Sequence, residues 1–408
     1  MSAAAHEVNR NVHLMDPMFY IDPHLHFLWM REHAPVYWDE TSPDGGIWGV
    51  TLHEDVLFVA KTPEIFCSRK SSRPERDSHI PSMINLDDPD HKRRRNLVNR
   101  GFTKQRVEAH EEKIRAICRE LIAAVLPKGR CDFVHDIAAP LPMIMIGDLL
   151  GVEPEDRDKL LRWSDEMLGG GAARRLPKEK VREHQAKVAL EYIAYAQAVV
   201  ADRRKRPRED LMSVLVHAEI DGDRLTEQEI IQESLLILVG GDETTRHVIT
   251  GGMLALLQNP DQHRKLLENP KLVPTAVEEL LRWVTPIQNM NRTATRDTVL
   301  RGKKIREGDR LLLLYPSANR DAKVFRDPFR LDVTRTPNQH VAFGGPGTHF
   351  CLGASLARLE LRVMFEELLA HLPELALSVP AEKLPYRPSN FIVGLEEMPV
   401  EFPARDAL

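Results

Sequence analysis

Apolar positions along this chain fall mostly at helical spacing. Ile114, Ile117, Cys118, Leu121, Ile122 and Val125 make one stripe, which predicts an amphipathic helix with Cys118 as plain core. The same period dominates from Asp90 to about residue 285. It returns through Leu356, Leu359, Val363, Phe365, Leu368 and Leu369 toward Pro373. A short helix is expected over His24–His33, after an extended arm. Alternation takes over at Val36–Trp38 and Ile47–Thr51, two strands joined by a turn at Pro43–Gly46. Short strands are also expected between Val299 and Leu314, with turns at Gly302 and Gly308 and an end at Pro316. Phe391–Leu395 reads as a closing hairpin. Gly169–Gly171 with the basic stretch Arg174–Lys180 reads as a loop between helices, and Arg203–Arg208 as a solvated helix end.

The pattern therefore predicts a mainly α protein with a smaller β-rich region. The β-rich part covers about 34–66, 290–340 and 385–402, and the helical part about 90–285 and 351–373. No linker, repeat or low-complexity stretch interrupts it, so one domain over 1–408 is expected although 408 residues would accommodate two or three.

One helix stands apart. Thr226-Glu-Gln-Glu229 is a capping box. The helix it opens is expected to run to Asn259, before Pro260, a length of about 50 Å at 1.5 Å per residue. Its apolar residues surround it on all sides, which predicts burial. Yet Gly240-Gly-Asp-Glu-Thr-Thr245 sits in its middle. Each mid-helix glycine is unfavourable by about 1 kcal/mol relative to Ala, and buried acids cost more unless paired. A structural reading has the glycines admit a close neighbour and Glu243 pair with His247 at i,i+4. The functional reading is a groove: a Thr hydroxyl bonds back into the helix ladder and loosens it, beside an acid that relays protons.

Composition narrows the chemistry. The net charge of −5 gives no footprint for nucleic acid. Four cysteines, Cys67, Cys118, Cys131 and Cys351, show no CxxC spacing, which argues against zinc and a disulfide framework and fits a reducing cytoplasm. Met1–Asn11 is polar, no apolar run is long enough to span a bilayer, and no signal peptide or membrane anchor is expected.

Cys351 ends the run His340-Val-Ala-Phe-Gly-Gly-Pro-Gly-Thr-His-Phe-Cys. A lone Cys is usually a small core residue. Here Gly344, Gly345 and Gly347 permit tight turns that aim N–H groups at the sulfur, and a helix start follows; both favour thiolate. A haem iron requires this of a proximal ligand: charge, shielding and tuning hydrogen bonds.

The run from His340 to Gly353 resembles the haem-binding signature of the cytochrome P-450 monooxygenases. In most of that family the signature Phe lies one residue closer to the Cys than Phe343 does to Cys351. The longer Gly-Gly-Pro-Gly form is similar to that of actinobacterial sterol and branched-lipid hydroxylases. Further segments resemble cholesterol and cholestenone side-chain hydroxylases: Met83–Asp88, Cys131–Phe133 with Ala139–Pro142, Gly240–His247 and Arg387–Phe391.

The resemblance implies the P450 fold, with haem b between the central helix and the Cys-loop helix and Cys351 as axial ligand. It assigns an acid–alcohol pair to Glu243 and Thr244, with Thr245 as helper. It assigns the haem propionates to His91, Arg95, Arg292 and His349, and places Gly353 in the haem-binding run. Glu279, Arg282 and Arg335 correspond to a structural ion-pair group. Pocket positions by resemblance include Ile80, Met83, Ile84, Trp163, Met167, Leu236, Val239, Gly240, Ile287, Met290, Phe391, Ile392 and Val393. Each is more often core when judged singly, but together they imply a hydrophobic substrate.

Implied partners are dioxygen, a separate ferredoxin and an NAD(P)H-dependent ferredoxin reductase. Lys92, Arg93, Arg94, Arg100, Lys104, Arg106 and Arg358 are a candidate docking face for that ferredoxin, set against ordinary solvated charge. The implied reaction inserts one oxygen atom into an unactivated C–H bond, at the terminal methyl of a sterol side chain. Terpenoids and methyl-branched fatty acids are alternative substrates. A thiolate-haem peroxygenase, or a haem-based sensor or binding protein, would not need the Glu243–Thr244 relay.

Overall fold

The structure, a computed structural model, describes residues 12–42, 45–75, 81–167 and 170–406, with the side chains of 174 and 178 left aside. Met1–Asn11, Pro43, Asp44, Gly169 and the pocket candidate Ile80 lie outside the described residues. Helices predominate, and the chain gathers into two compact units. The first comprises Met1–Ile80, Gly251–Cys351 and Leu384–Glu396. The second comprises Pro81–Thr250, Leu352–Lys383 and Glu397–Leu408.

The first unit is built on a five-stranded sheet. Its order is Val36–Asp39, Ile47–Val50, Arg310–Leu314, Asn289–Ala294 and Phe66–Cys67. All contacts in it are antiparallel except Arg310–Leu314 against Ile47–Val50. Leu311 and Leu313 face one side with Val56, Val59, Phe66 and Tyr315. Leu312 and Leu314 face the other with Leu14, Phe27 and Met30. A strand covered on both faces reads as a continuous apolar run, and Leu311–Leu314 is one. Helix His24–His33 forms over the residues expected. Pro316 lies in a single helical turn, Tyr315–Ala318, that follows the last strand. The closing hairpin of 386–395 is held by isolated bridges. Tyr386 pairs with Leu395, and Ile392 pairs with Ile287.

The second unit is helical. Helix Glu111–Val125 buries Ile114, Ile117, Cys118, Ile122 and Val125, the stripe read from the sequence. Its outer face meets helix Ala354–His371 through ion pairs of Arg115 with Glu366 and Glu367, at 2.7 and 2.6 Å. A small sheet of Ala376–Leu377, Pro399–Glu401 and Arg130–Asp132 edges this unit.

Two sequence expectations change here. Helix Lys178–Lys205 already includes the end of the basic stretch predicted as loop. Arg203 is not solvated. It is buried, with Nε donating to Asp210 at 2.6 Å and Nη2 to the Gly151 carbonyl at 2.9 Å. Asp202 and Asp210 nearby in sequence and the distant Gly151 carbonyl thus claim a cation that its basic neighbours suggest is exposed.

The central helix spans Glu227–Gln258, and Pro260 opens the next helix rather than merely stopping this one. The capping box is formed in both directions. Glu229 accepts from the Thr226 N–H at 2.8 Å, and Thr226 Oγ1 accepts from the Glu229 N–H at 3.2 Å. Residues to Thr250 belong to the second unit and the last turns to the first.

Candidate active site

In the first unit, the Cys loop takes its shape from its glycines. Gly344 and Gly345 have φ of +89° and +72°, conformations that a side chain makes costly. Gly347 is needed for space, since a Cβ there would lie 2.6 Å from the Ala60 carbonyl oxygen. The Cys351 N–H donates to the Phe343 carbonyl at 3.0 Å, closing the loop. Phe343 and Phe350 meet edge to face at 6.2 Å, so two rings flank the Cys loop. Cys351 is exposed, two residues before Gly353, the N-cap of helix Ala354–His371.

Arg292 lies buried in strand Asn289–Ala294, with Nη1 donating to its neighbour's carbonyl at 2.8 Å; His349 lies half-buried in the Cys loop. The pocket candidates of this unit come together by backbone pairing. Ile287 bridges to Ile392, the Gln288 N–H donates to the Phe391 carbonyl at 2.7 Å, and the Val393 N–H donates to that of Pro286 at 3.1 Å. Met290 is half-buried in the adjoining strand.

Glu279, Arg282 and Arg335 form one group. Arg282 grips Glu279 through two bonds of 2.7 and 2.8 Å, and both side chains are fully buried. Arg335 Nε, Asn338 Nδ2 and the Asp332 N–H also donate to Glu279, at 3.0, 3.1 and 2.9 Å. Arg282 in turn donates to the carbonyls of Asn319 and Pro328, both at 2.9 Å. Such saturation is what a buried ion pair requires.

In the second unit, the two glycines of the central helix divide their roles. A Cβ on Gly241 would lie 2.4 Å from Ile146, so this glycine serves close packing. A Cβ on Gly240 would meet nothing within 4 Å, and Gly240 is exposed. Leu236, Val239 and Thr244 beside it are half-buried. Positions 236, 239, 240 and 244 share one helix face. The otherwise buried helix therefore opens along a single stripe. Thr244 Oγ1 donates to the Gly240 carbonyl at 2.8 Å, the back-bond expected of a Thr in mid-helix.

Glu243, four residues on from Val239 and three from Gly240, lies on this face but does not share its exposure. It is buried, 2.6 Å from Arg246 Nη2 and 3.1 Å from His247 Nε2. This is the ion-pairing arrangement weighed against the relay reading, with Arg246 joining His247. Thr245 is buried. His91 and Arg95 sit one turn apart on helix Asp90–Val98. Burial holds His91 below its ordinary pKa, with Asp88 at 3.2 Å opposing the shift and Arg95 adding to it. Met83 is buried and Ile84 half-buried in the turn Met83–Asn85. Trp163 is buried, and Met167 closes its helix half-buried.

Arg93, Arg94 and Lys104 among the candidate docking cations are engaged, Lys104 with Glu108 at 3.6 Å on the surface. Arg93 pairs with Asp223 and Glu229, at 2.6 and 2.9 Å, and Arg94 with Glu229 and Glu233, at 3.1 and 3.0 Å. Arg94 is only 12% exposed, so it helps hold the fold rather than offering a free surface charge.

Sequence reasoning gave Asp242 no partner and missed the buried acid Glu360 altogether. Asp242 accepts from Ser164 Oγ at 3.0 Å, and burial followed by the charge of Glu243 raises its pKa. Glu360, on helix Ala354–His371, is pushed up to about 8 by burial and then by Asp242. The signal for Glu360 was present: one acid inside the apolar run Leu359–Leu361.

Residues 172–393 match the family Cytochrome P450. A Mycobacterium tuberculosis protein named Steroid C26-monooxygenase is 45% identical over 398 residues, covering 96% of this chain and 97% of that protein. The chain is a cytochrome P450. A Methyl-branched lipid omega-hydroxylase of Mycobacterium tuberculosis is 39% identical over 390 residues, 92% of the P450 described here and 90% of its relative. The solved structure of the Bacillus subtilis bacillaene polyketide synthase cytochrome P450 PksS superposes with a TM-score of 0.89 at 34% identity, covering 96% and 99% of the two chains. The P450 is thus a haem-thiolate monooxygenase. Residues within each unit fit that group: in the first, an exposed cysteine on a glycine-shaped loop and the buried Arg292 guanidinium; in the second, the exposed backbone at Gly240. No helix among the described residues is long and apolar enough to cross a membrane.

Proposed function

We propose that this P450 hydroxylates the terminal methyl of a sterol or steroid side chain. The observation that carries the reading is the open stripe Leu236, Val239, Gly240 and Thr244, three of whose four residues offer apolar or bare backbone surface. Such a wall suits a hydrophobic chain with few polar anchors. The names of the 45% and 39% identical relatives support a terminal position on a branched chain. Methyl-branched fatty acids are the second reading, favoured by the latter.

In this reading Cys351 supplies the axial thiolate, and His91, Arg95, Arg292 and His349 hold the haem propionates, with 1–408 acting as one haem domain. The bound haem supplies the activation of dioxygen. The protein's own part is to place protons. Thr244 Oγ1 spends its hydrogen on the Gly240 carbonyl, so its lone pairs face the open stripe and accept from a water or reacting group there. Glu243, held by Arg246 and His247, reloads that proton chain when its carboxylate swings from Arg246. Thr245 helps order the turn. Electrons come from a separate ferredoxin and its NAD(P)H-dependent reductase in the cytoplasm. With Arg93 and Arg94 tied into ion pairs, the exposed Arg100 and Arg106 are the better docking cations.

Titration of the ferric protein with cholest-4-en-3-one, a methyl-branched fatty acid and a small terpenoid tests the substrate. A saturable high-spin shift with the steroid alone supports the sterol reading. A shift with only one of the others transfers the assignment to that class. Thr244→Ala should bind haem and substrate normally. Its product per electron should fall by about a hundredfold, the low end of what a positioned proton-transfer group contributes. Hydrogen peroxide should rise in step; tightly coupled turnover would remove Thr244 from the relay.

A further inference from the structure

The turn Met83–Asn85 lacks a cap of its own. Ser82 is its N-cap residue, yet Ser82 makes no side-chain cap bond, and its buried hydroxyl has no hydrogen-bond partner. The first N–H of a helical turn nevertheless needs an acceptor when buried. Glu233, far along the chain on the central helix, provides it: the Met83 N–H donates to Glu233 Oε1 at 2.8 Å. Arg94 closes the arrangement. Its Nη1 donates to the same oxygen at 3.0 Å and to the Pro81 carbonyl at 2.8 Å. Pro81, Met83, Arg94 and Glu233 thus form a clip that fastens the turn to the central helix.

Glu233 is fully buried, and burial outweighs Arg94 and the Met83 N–H to push its carboxyl up to about 7. An apolar side chain would fill that position at less desolvation cost. The carboxylate occupies a strategic place. Leu236 lies three residues on and Gly240 seven, both on the face that Glu233 shares. The turn it fastens carries Met83 and Ile84. The clip therefore joins the two sets of pocket candidates within this unit.

We propose that Glu233, gripped by Arg94, is a positioning residue for substrate: it sets the spacing between the Met83–Asn85 turn and the Leu236–Gly240 stripe, and so the fit of the hydrophobic chain between them. The inference rests on the reading that these residues line the pocket. It extends beyond the haem-binding and proton-relay residues, since Glu233 needs no contact with either.

The test is the double variant R94M/E233L. Replacing both partners by apolar groups of similar size avoids the buried charge that removing one would leave, although the Met83 N–H and Glu229 each lose a partner. Haem content should stay close to the parent, with a modestly lowered melting temperature. Hydrogen exchange at the Met83 amide should accelerate. The dissociation constant for cholest-4-en-3-one should rise about tenfold, the scale of a lost charge-assisted hydrogen bond, while that for imidazole, which is too small to span the two walls, stays unchanged. Faster exchange with unchanged steroid affinity would overturn the proposal, as would equal losses for steroid and imidazole, which mark a general structural role. If the parent itself gives no steroid shift, the substrate reading fails first. The comparison then runs with the ligand that does shift it, under the same two criteria. Should the double variant not accumulate, Glu233→Gln retains an acceptor for Met83 but removes the charge facing Arg94. A smaller, steroid-selective loss is expected there, and parental affinity overturns the proposal.

Discussion

Cys351→Ser is expected to abolish monooxygenase turnover while leaving the rest of the fold in place. The cysteine is exposed, and its one described backbone bond, from its N–H to Phe343, does not involve the side chain. Serine fits the loop but does not supply an anionic sulfur to the iron. The carbon-monoxide complex of the reduced protein should lose the red-shifted band that a thiolate ligand produces. The other cysteines serve as controls. Cys67 and Cys118 are buried, and burial drives the Cys118 thiol well up. Cys131 is half-buried, with its thiol pushed up to about 12 by burial and then by Asp136 and Asp132. Neither Cys118 nor Cys131 is poised to ionise, and Cys118→Ser and Cys131→Ser should keep the band. A red-shifted band that survives Cys351→Ser would remove this cysteine as the ligand.

Glu279→Ala should be the most damaging substitution for stability. It leaves Arg282 fully buried without its carboxylate and strips the acceptor from Arg335, Asn338 and the Asp332 N–H. Loss of one partner from a buried pair costs about 3–5 kcal/mol, roughly a fifth or more of a typical domain's stability. Little soluble holoprotein is expected, and what is recovered should melt far below the parent. Glu279→Gln keeps the shape and some of the acceptors, so an intermediate loss is expected. Denaturant unfolding of the two variants beside the parent measures it. Parental stability in Glu279→Ala would mean that the network is dispensable.

The features legible in the sequence were those written in local pattern. Helix His24–His33, the Glu111–Val125 stripe and the two-way capping box depend on residues a few positions apart. The Gly-Gly-Pro-Gly run betrays its tight turns because few other residues accept φ near +80°. Partnership across long separations was not legible. Arg93 and Arg94 sit in a basic cluster that looks solvated, but their carboxylates arrive from elsewhere in the chain. The strand Arg130–Asp132 is three residues long and exists only because Pro399–Glu401 pairs with it. The mid-helix acids were recognised as anomalous, but the direction each side chain takes was not. Adjacent helical residues point about 100° apart, so Glu243 can serve an ion pair while Thr244 faces the open stripe.

The contact between Gly347 and Ala60 bears on assembly. The Cys loop is moulded against helix His53–Lys61, from near the opposite end of the first unit's sequence. Its final curvature therefore has no purely local route, and closing so long a separation slows folding. A chain still emerging from the ribosome already carries that helix, but it cannot complete the loop until the last quarter of the sequence is made. Capture of the iron ligand is thereby deferred to a nearly finished polypeptide, and a truncated product would lack the means to bind the metal through sulfur at this loop.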